Sequence, residues 1–220
     1  MKLLAPLAAS IIVVFARFIT AVRGIWLEAE PDDRQSVYFA NHTSNGDFVL
    51  IWTLLPAHLR RKTRPVAAAD YWLKSALRQF IGQEVFHAVL IERNPEDRLE
   101  DPVTQMANAL DEGSSLIIFP EGKRNLTDQP LLPFKTGLYH LSKARPETRL
   151  VPAWIENLNR VMPKGEIIPL PLVCTVTFGP ALYNQDGEDK ETFLKRAESA
   201  LLDLNPSKEP SEDKREGGPK

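Results

Sequence analysis

Short apolar runs and longer amphipathic stretches alternate along the chain. Ser36–Ala40, Pro65–Ala69, Val85–Ile91, Leu116–Phe119, Leu150–Ile155 and Leu172–Phe178 are brief and largely β-branched or aromatic, and each predicts a strand. Between them, apolar residues recur at helical spacing. A helix is expected near Gly46–Leu55. Another starts at Asp70, carries Leu73, Ala76, Leu77, Phe80 and Ile81, and stops at Gly82. A third carries Leu99, Val103, Met106, Ala107 and Leu110, with Pro102 in its first turn and Gly113 as its stop. Phe134–Arg145 predicts a helix ended by Pro146, and Phe193, Ala197, Ala200, Leu201 and Leu204 mark the last one. Arg60–Arg64 reads as a basic connection. The alternation implies an α/β fold, a single domain with a mostly parallel central sheet flanked by helices.

The two ends depart from this pattern. Leu3–Ala16 is apolar apart from Ser10, and Arg17 then interrupts before Phe18. An apolar run of that length is short for a span and suits an interfacial or signal-type segment. Lys2, Arg17 and Arg23 suit anionic headgroups, and no convincing small-x-small cleavage site precedes Trp26. The expectation is a retained membrane-associated helix, with a span, a cleaved signal or a plain core helix as alternatives. After Asn205 the chain is polar and rich in Pro, Glu, Lys and Gly, which reads as a disordered tail. The expected organisation is an N-terminal anchor over 1–24, a catalytic domain over 25–205 and a tail over 206–220.

Composition narrows the function classes. A net charge of -2 over 220 residues argues against general nucleic-acid binding. The single cysteine, Cys174, excludes an intramolecular disulfide and a Cys-based zinc site, and its strand context reads as a buried, inert thiol. His42, His58, His87 and His140 lack zinc-motif spacing, so no metal is expected. His87, inside a predicted strand, reads as a core residue. Tyr71 and Trp72 read as core or as interfacial aromatics.

Two segments carry candidate chemistry. Asn41-His42-Thr43-Ser44-Asn45-Gly46-Asp47 lies at a strand-to-helix junction, where a carboxylate in the first helical turn can fold back to the imidazole. Such a contact fixes the tautomer and leaves the other nitrogen to accept a proton. A capped turn with an exposed histidine is the plain alternative. Phe119-Pro120-Glu121-Gly122-Lys123-Arg124 ends another strand with an acid, a glycine and two cations. Gly122 permits close backbone approach, and Lys123 and Arg124 suit a phosphate. A charged surface loop is the alternative. Arg93, after the run ending at Ile91, is a further cation, or a partner of Glu92 or Glu96.

In these residues the chain resembles the glycerolipid acyltransferase family, of the lysophosphatidic acid acyltransferase type. The family's His-x4-Asp motif is matched by His42 and Asp47, and its apolar strand ending in Arg by Phe86–Arg93. Its Phe-Pro-Glu-Gly-[Thr/Ser]-Arg block is matched by Phe119–Arg124, and its Val-Pro strand by Val151–Ile155. Lys123 stands where the family has a small hydroxyl residue. The resemblance implies that His42 deprotonates an acceptor hydroxyl, which attacks an acyl thioester while Asp47 orients the base. It implies that Arg93, Glu121, Gly122, Lys123 and Arg124 position a phosphate-bearing lysophospholipid, first of all 1-acylglycerol-3-phosphate. It implies acyl-coenzyme A or acyl carrier protein as donor and no requirement for a cofactor or metal. A single cysteine in a strand and no processing signal make a membrane surface, with the site facing the cytoplasm, the expected setting.

Rival readings are weaker. A serine hydrolase lacks its nucleophile elbow, since Gly113-Ser114-Ser115 has no second glycine and no preceding strand. Other lysolipid acceptors, including a lyso-aminolipid, keep the mechanism and change the substrate. A non-catalytic lipid-binding protein has no use for both His42 and Asp47.

Overall fold

The computed structural model describes residues 4–28, 31–156 and 173–207. Seven strands form one sheet: β1 (Arg23–Trp26), β2 (Ser36–Ala40), β3 (Thr63–Ala68), β4 (Val89–Ile91), β5 (Ser115–Ile118), β6 (Arg149–Glu156) and β7 (Thr175–Phe178). Their order is β1-β7-β6-β2-β5-β3-β4. The five strands from β6 to β4 are parallel, and β7 turns the pair β7–β1 antiparallel to them. The α/β class and the mostly parallel sheet are as the sequence predicts.

Alternation along the strands builds the two cores. Tyr38 and Ala40 of β2, Ile117 of β5 and Val151, Ala153 and Ile155 of β6 face one side. They pack there with α1 (Ala5–Thr20), α2 (Asp47–Leu54) and the π-helical turn Phe80–Val85. Val37 and Phe39, Leu116 and Ile118, and Leu150 and Trp154 face the other side. Against them lie α6 (Pro102–Asp111), α7 (Gly137–Ala144) and α8 (Lys190–Leu202). Strand β2 is buried along its whole length because both faces are covered, as expected of a central parallel strand.

Several predicted elements need correction. Arg60–Arg64 is not a loop: α3 (Ala57–Lys62) runs directly into β3. The helix expected from Asp70 is broken into α4 (Ala69–Trp72), α5 (Ala76–Gln79) and the π-helical turn, because Ser75 is extended and caps a new start at Arg78 N–H. Gly82 is not a stop. It lies inside that turn, and a β-carbon there would sit 3.0 Å from the Trp72 ring. The strand expected over Val85–Ile91 shrinks to Val89–Ile91, since Val85 and Phe86 are core residues of the preceding turn. Short apolar runs do not distinguish strand from buried turn. His87 is exposed at a left-handed φ of 49°, not a core strand residue. The segment Phe134–Arg145 becomes helical only at Gly137. Cys174 is fully buried beside β7. Trp72 and Tyr71 are half-buried, and Trp72 packs edge-on against Phe48 and Phe86. Most of the tail over 206–220 and residues 163–171 lie outside the described residues.

Strand β1, which was not predicted, follows directly on the N-terminal apolar stretch. It ties that stretch to the sheet: Cys174 N–H donates to the Thr20 carbonyl at 2.8 Å, and Arg23 N–H donates to the Cys174 carbonyl at 2.9 Å. Helix α1 buries Val13, Ala16 and Thr20, and its Arg17 reaches the Thr53 carbonyl. Its opposite face carries Leu7, Ile11, Val14, Phe15 and Phe18, all exposed. Among the described residues no helix is long and apolar enough to cross a membrane.

Candidate active site

Strands β2 and β5 are neighbours, so the segments that leave their carboxyl ends meet at one edge of the sheet. Asn41 first extends the pairing of β2 with β6. Its side chain donates to the Ile155 carbonyl at 3.0 Å and accepts the Ile155 N–H at 2.8 Å, and it is buried. That clamp sets where His42 leaves the sheet.

The turn to α2 then folds back on the histidine. Asp47 is fully buried, and its Oδ2 accepts three hydrogen bonds: from Thr43 N–H at 2.7 Å, Ser44 N–H at 2.8 Å and His42 Nδ1 at 2.9 Å. The contact sets Nδ1 against the carboxylate, so the imidazole proton sits on Nδ1. Nε2 is then the basic nitrogen, and it has no protein partner among the described residues. The imidazole retains 19% side-chain exposure, enough to be reached from solvent. Phe119 stacks on it at a centroid separation of 4.2 Å, which limits ring rotation.

The segment after β5 wraps this pair. Glu121 is 2% exposed and spends both oxygens on backbone: Oε1 accepts His42 N–H at 2.7 Å and Oε2 accepts Leu132 N–H at 2.8 Å. Burial pushes its carboxyl above the usual range, opposed by the hydrogen bonds from Leu132 and His42. Asn125 N–H donates to the His42 carbonyl at 2.6 Å, and the buried Asn125 side chain closes the loop on Gln129 and Thr127. Gly122 sits at φ 68°, the left-handed region. Lys123 and Arg124 are exposed, and neither pairs with a carboxylate among the described residues.

The structure therefore brings together His42, Asp47, Glu121 and Gly122, with Lys123 and Arg124 on the same loop. Arg93 lies beyond the end of β4, on the edge of the sheet with β3 between it and β5, and its guanidinium pairs with Asp70 at 3.4 Å. Sequence reasoning missed Asn41, Phe119 and Asn125 as parts of this construction. It also missed the amides of Thr43, Ser44 and Leu132. Asn41 and Phe119 stand inside the two motifs, and that adjacency was the available signal. Leu132 and Asn125 act through backbone closure that no local pattern reports. Among the described residues no cluster of metal-ligating side chains occurs.

The sequence model of the Acyltransferase family matches residues 22–156, which span β1 to β6 and every site residue above. The chain belongs to the Acyltransferase family. A 1-acyl-sn-glycerol-3-phosphate acyltransferase from Cocos nucifera is 28% identical over 167 residues, covering 74% of this chain and 51% of the relative. A protein of the same name from Chlamydomonas reinhardtii is 30% identical over 138 residues, covering 62% of this chain and 38% of the relative. The chain thus spans about half or less of the length of these curated relatives. The crystal structure of the 1-acyl-sn-glycerophosphate acyltransferase PlsC from Thermotoga maritima superposes with a TM-score of 0.68 at 20% identity. That alignment covers 91% of this chain and 81% of the other, and it shows a shared fold.

Proposed function

We propose that this protein is an O-acyltransferase that moves a fatty acyl group from a thioester to the free hydroxyl of 1-acylglycerol-3-phosphate. The observation that carries the reading is the His42–Asp47 pair, whose Nε2 is left unbonded beside a loop bearing Lys123 and Arg124. The acceptor hydroxyl donates its proton to Nε2 as its oxygen attacks the thioester carbonyl. Asp47 stabilises the imidazolium that forms. The tetrahedral adduct collapses by breaking the carbon–sulfur bond, and His42 returns its proton to the departing thiolate. The oxygen ester is the product, with free coenzyme A or acyl carrier protein as the thiol. The substrate brings its own nucleophile, so no enzyme nucleophile is required.

Lys123 and Arg124 suit the acceptor's phosphate, because a compact ammonium and a forked guanidinium together match its charge and its oxygens. Glu121 is assigned a different role from that of the cations. With both oxygens on backbone amides it holds the loop to His42 and has none left for a ligand. Arg93 contributes to acceptor binding only by leaving Asp70.

The exposed face of α1 supports membrane-surface association. Leu7, Ile11, Val14, Phe15 and Phe18 fall within about 100° on a helical wheel at ~100° per residue, and Phe18 is 82% exposed. The helix is too short to span, so the protein lies on one leaflet with this face in the interface. Substrate and product reside in the same layer.

The test is acyl transfer by the purified protein, with labelled acyl-coenzyme A or acyl carrier protein and a panel of lysolipids. Labelled phosphatidic acid from 1-acylglycerol-3-phosphate supports the reading. Product only from another lysolipid replaces the acceptor, and no product with any acceptor and either donor overturns it.

A further inference from the structure

The loop after β5 carries a third cation that neither motif contains. Lys135 lies just before α7, and its N–H donates to the Pro120 carbonyl at 2.8 Å, which pins its backbone against the start of the Glu121-Gly122 turn. Its side chain then runs across the bare α-carbon of Gly122. A β-carbon at position 122 would lie 2.6 Å from Cε, 2.7 Å from Cδ and 2.8 Å from Nζ of Lys135. The exposed Lys135 side chain therefore lies over the space a side chain at 122 would occupy, at a glycine whose left-handed φ of 68° already disfavours other residues.

The ammonium so placed has no carboxylate partner among the described residues. Four arginines elsewhere are engaged by carboxylates, Arg64 by Glu112, Arg145 by Asp111, Arg149 by Asp32 and Arg196 by Glu188. The nearest acid in sequence to the turn, Glu121, is buried with both oxygens occupied.

We propose that Lys135 is an acceptor-binding residue, its ammonium held over Gly122 to take the phosphate monoester of the lysolipid together with Lys123 and Arg124. The inference rests on the proposed acyltransferase reading and extends it from the motif cations to one outside the motif. The same chemistry is present in the phosphates of a coenzyme A donor. The acceptor is favoured because the ammonium sits on the turn that Glu121 fastens to His42, where the hydroxyl must be delivered.

The test is steady-state kinetics of Lys135→Met, which keeps an apolar stem over Gly122 and removes the charge, beside Lys135→Arg. With 1-acylglycerol-3-phosphate the Met variant is expected to raise KM about ten- to a hundredfold, the range for deleting one charged hydrogen-bond partner. Its kcat, its KM for acyl-coenzyme A and its thermal midpoint stay near the parent values, and the Arg variant recovers most of the lost affinity. An unchanged KM for the lysolipid overturns the proposal. A rise confined to acyl-coenzyme A overturns it too, and assigns Lys135 to the donor. Equal losses toward both substrates with a lowered thermal midpoint reduce Lys135 to loop packing. If the parent protein transfers nothing to this acceptor, the proposed function fails first and this inference with it.

Discussion

Glu121 accepts the backbone N–H of His42 at 2.7 Å, so the acid of one motif fixes the main chain of the histidine in the other. Its second oxygen holds Leu132 N–H at 2.8 Å, and the two bonds span the loop that carries Lys123 and Arg124. His42 and the cation-bearing turn are therefore one mechanical unit.

Glu121→Gln tests that unit. An amide accepts one of the two N–H groups and turns an NH₂ toward the other, leaving a buried donor unpaired at about 1–3 kcal/mol. Expected is a lower thermal midpoint together with a fall in kcat, because His42 shifts with the loop. A loss of acceptor affinity alone, at parent kcat and stability, contradicts the structural assignment.

Asp47→Asn separates orientation from binding. Asparagine retains an oxygen for Thr43 and Ser44 N–H, but it offers no charge to the imidazolium and disturbs the tautomer. A loss of about 10²–10⁴ in kcat is expected at nearly constant KM for the lysolipid. An effect confined to KM contradicts the role.

The α1 face is tested by substitution. Removing the helix strips Val13 and Ala16 from the core, so deletion confounds folding with binding. Phe15→Glu with Phe18→Glu leaves that core untouched. Each phenylalanine is worth about 1.5–3 kcal/mol when buried. Sedimentation with vesicles of mixed zwitterionic and anionic phospholipid is expected to fall more than tenfold. Unchanged sedimentation places the membrane contact elsewhere.

Two buried groups make stability fall in alkali. Burial pushes the Cys174 thiol up from 9.0 to about 11 and the Tyr38 hydroxyl up from 10.0 to about 12. Between those values the unfolded chain has released protons that the folded chain retains, so stability declines as pH rises from about 9 to about 12. Tyr38→Phe removes the upper part of the decline. Thermal midpoints across this range check both, and a flat profile contradicts the assigned environments.

Much of this was legible in the chain. The strands from Ser36, Leu116 and Leu150 were readable because β-rich runs ended at motif residues, and His42 and Glu121 therefore fell at strand ends. The region from Asp70 to Ile91 was not, because its apolar residues serve a folded-back π turn under Trp72, where helical spacing and burial coincide without a continuous helix. Strand β1 hid behind an apolar helix, and its pairing with β7 is set by a partner about 150 residues away, beyond any local period. Within the site, the side-chain pair was visible from its spacing. The backbone bonds of Glu121 to His42 and Leu132 were not legible, because hydrogen bonds to distant backbone leave no mark on the sequence. Lys135 was missed for a similar reason: its approach to Gly122 depends on how the loop closes.

The central claim is that His42 is the base of an acyl transfer. Single-turnover transfer from labelled acyl-coenzyme A to 1-acylglycerol-3-phosphate by the parent protein and His42→Ala tests it most directly, with circular dichroism to verify folding. The predicted result is a rate loss of about 10²–10⁴ in a folded variant. A folded His42→Ala protein that transfers at the parent rate contradicts the claim.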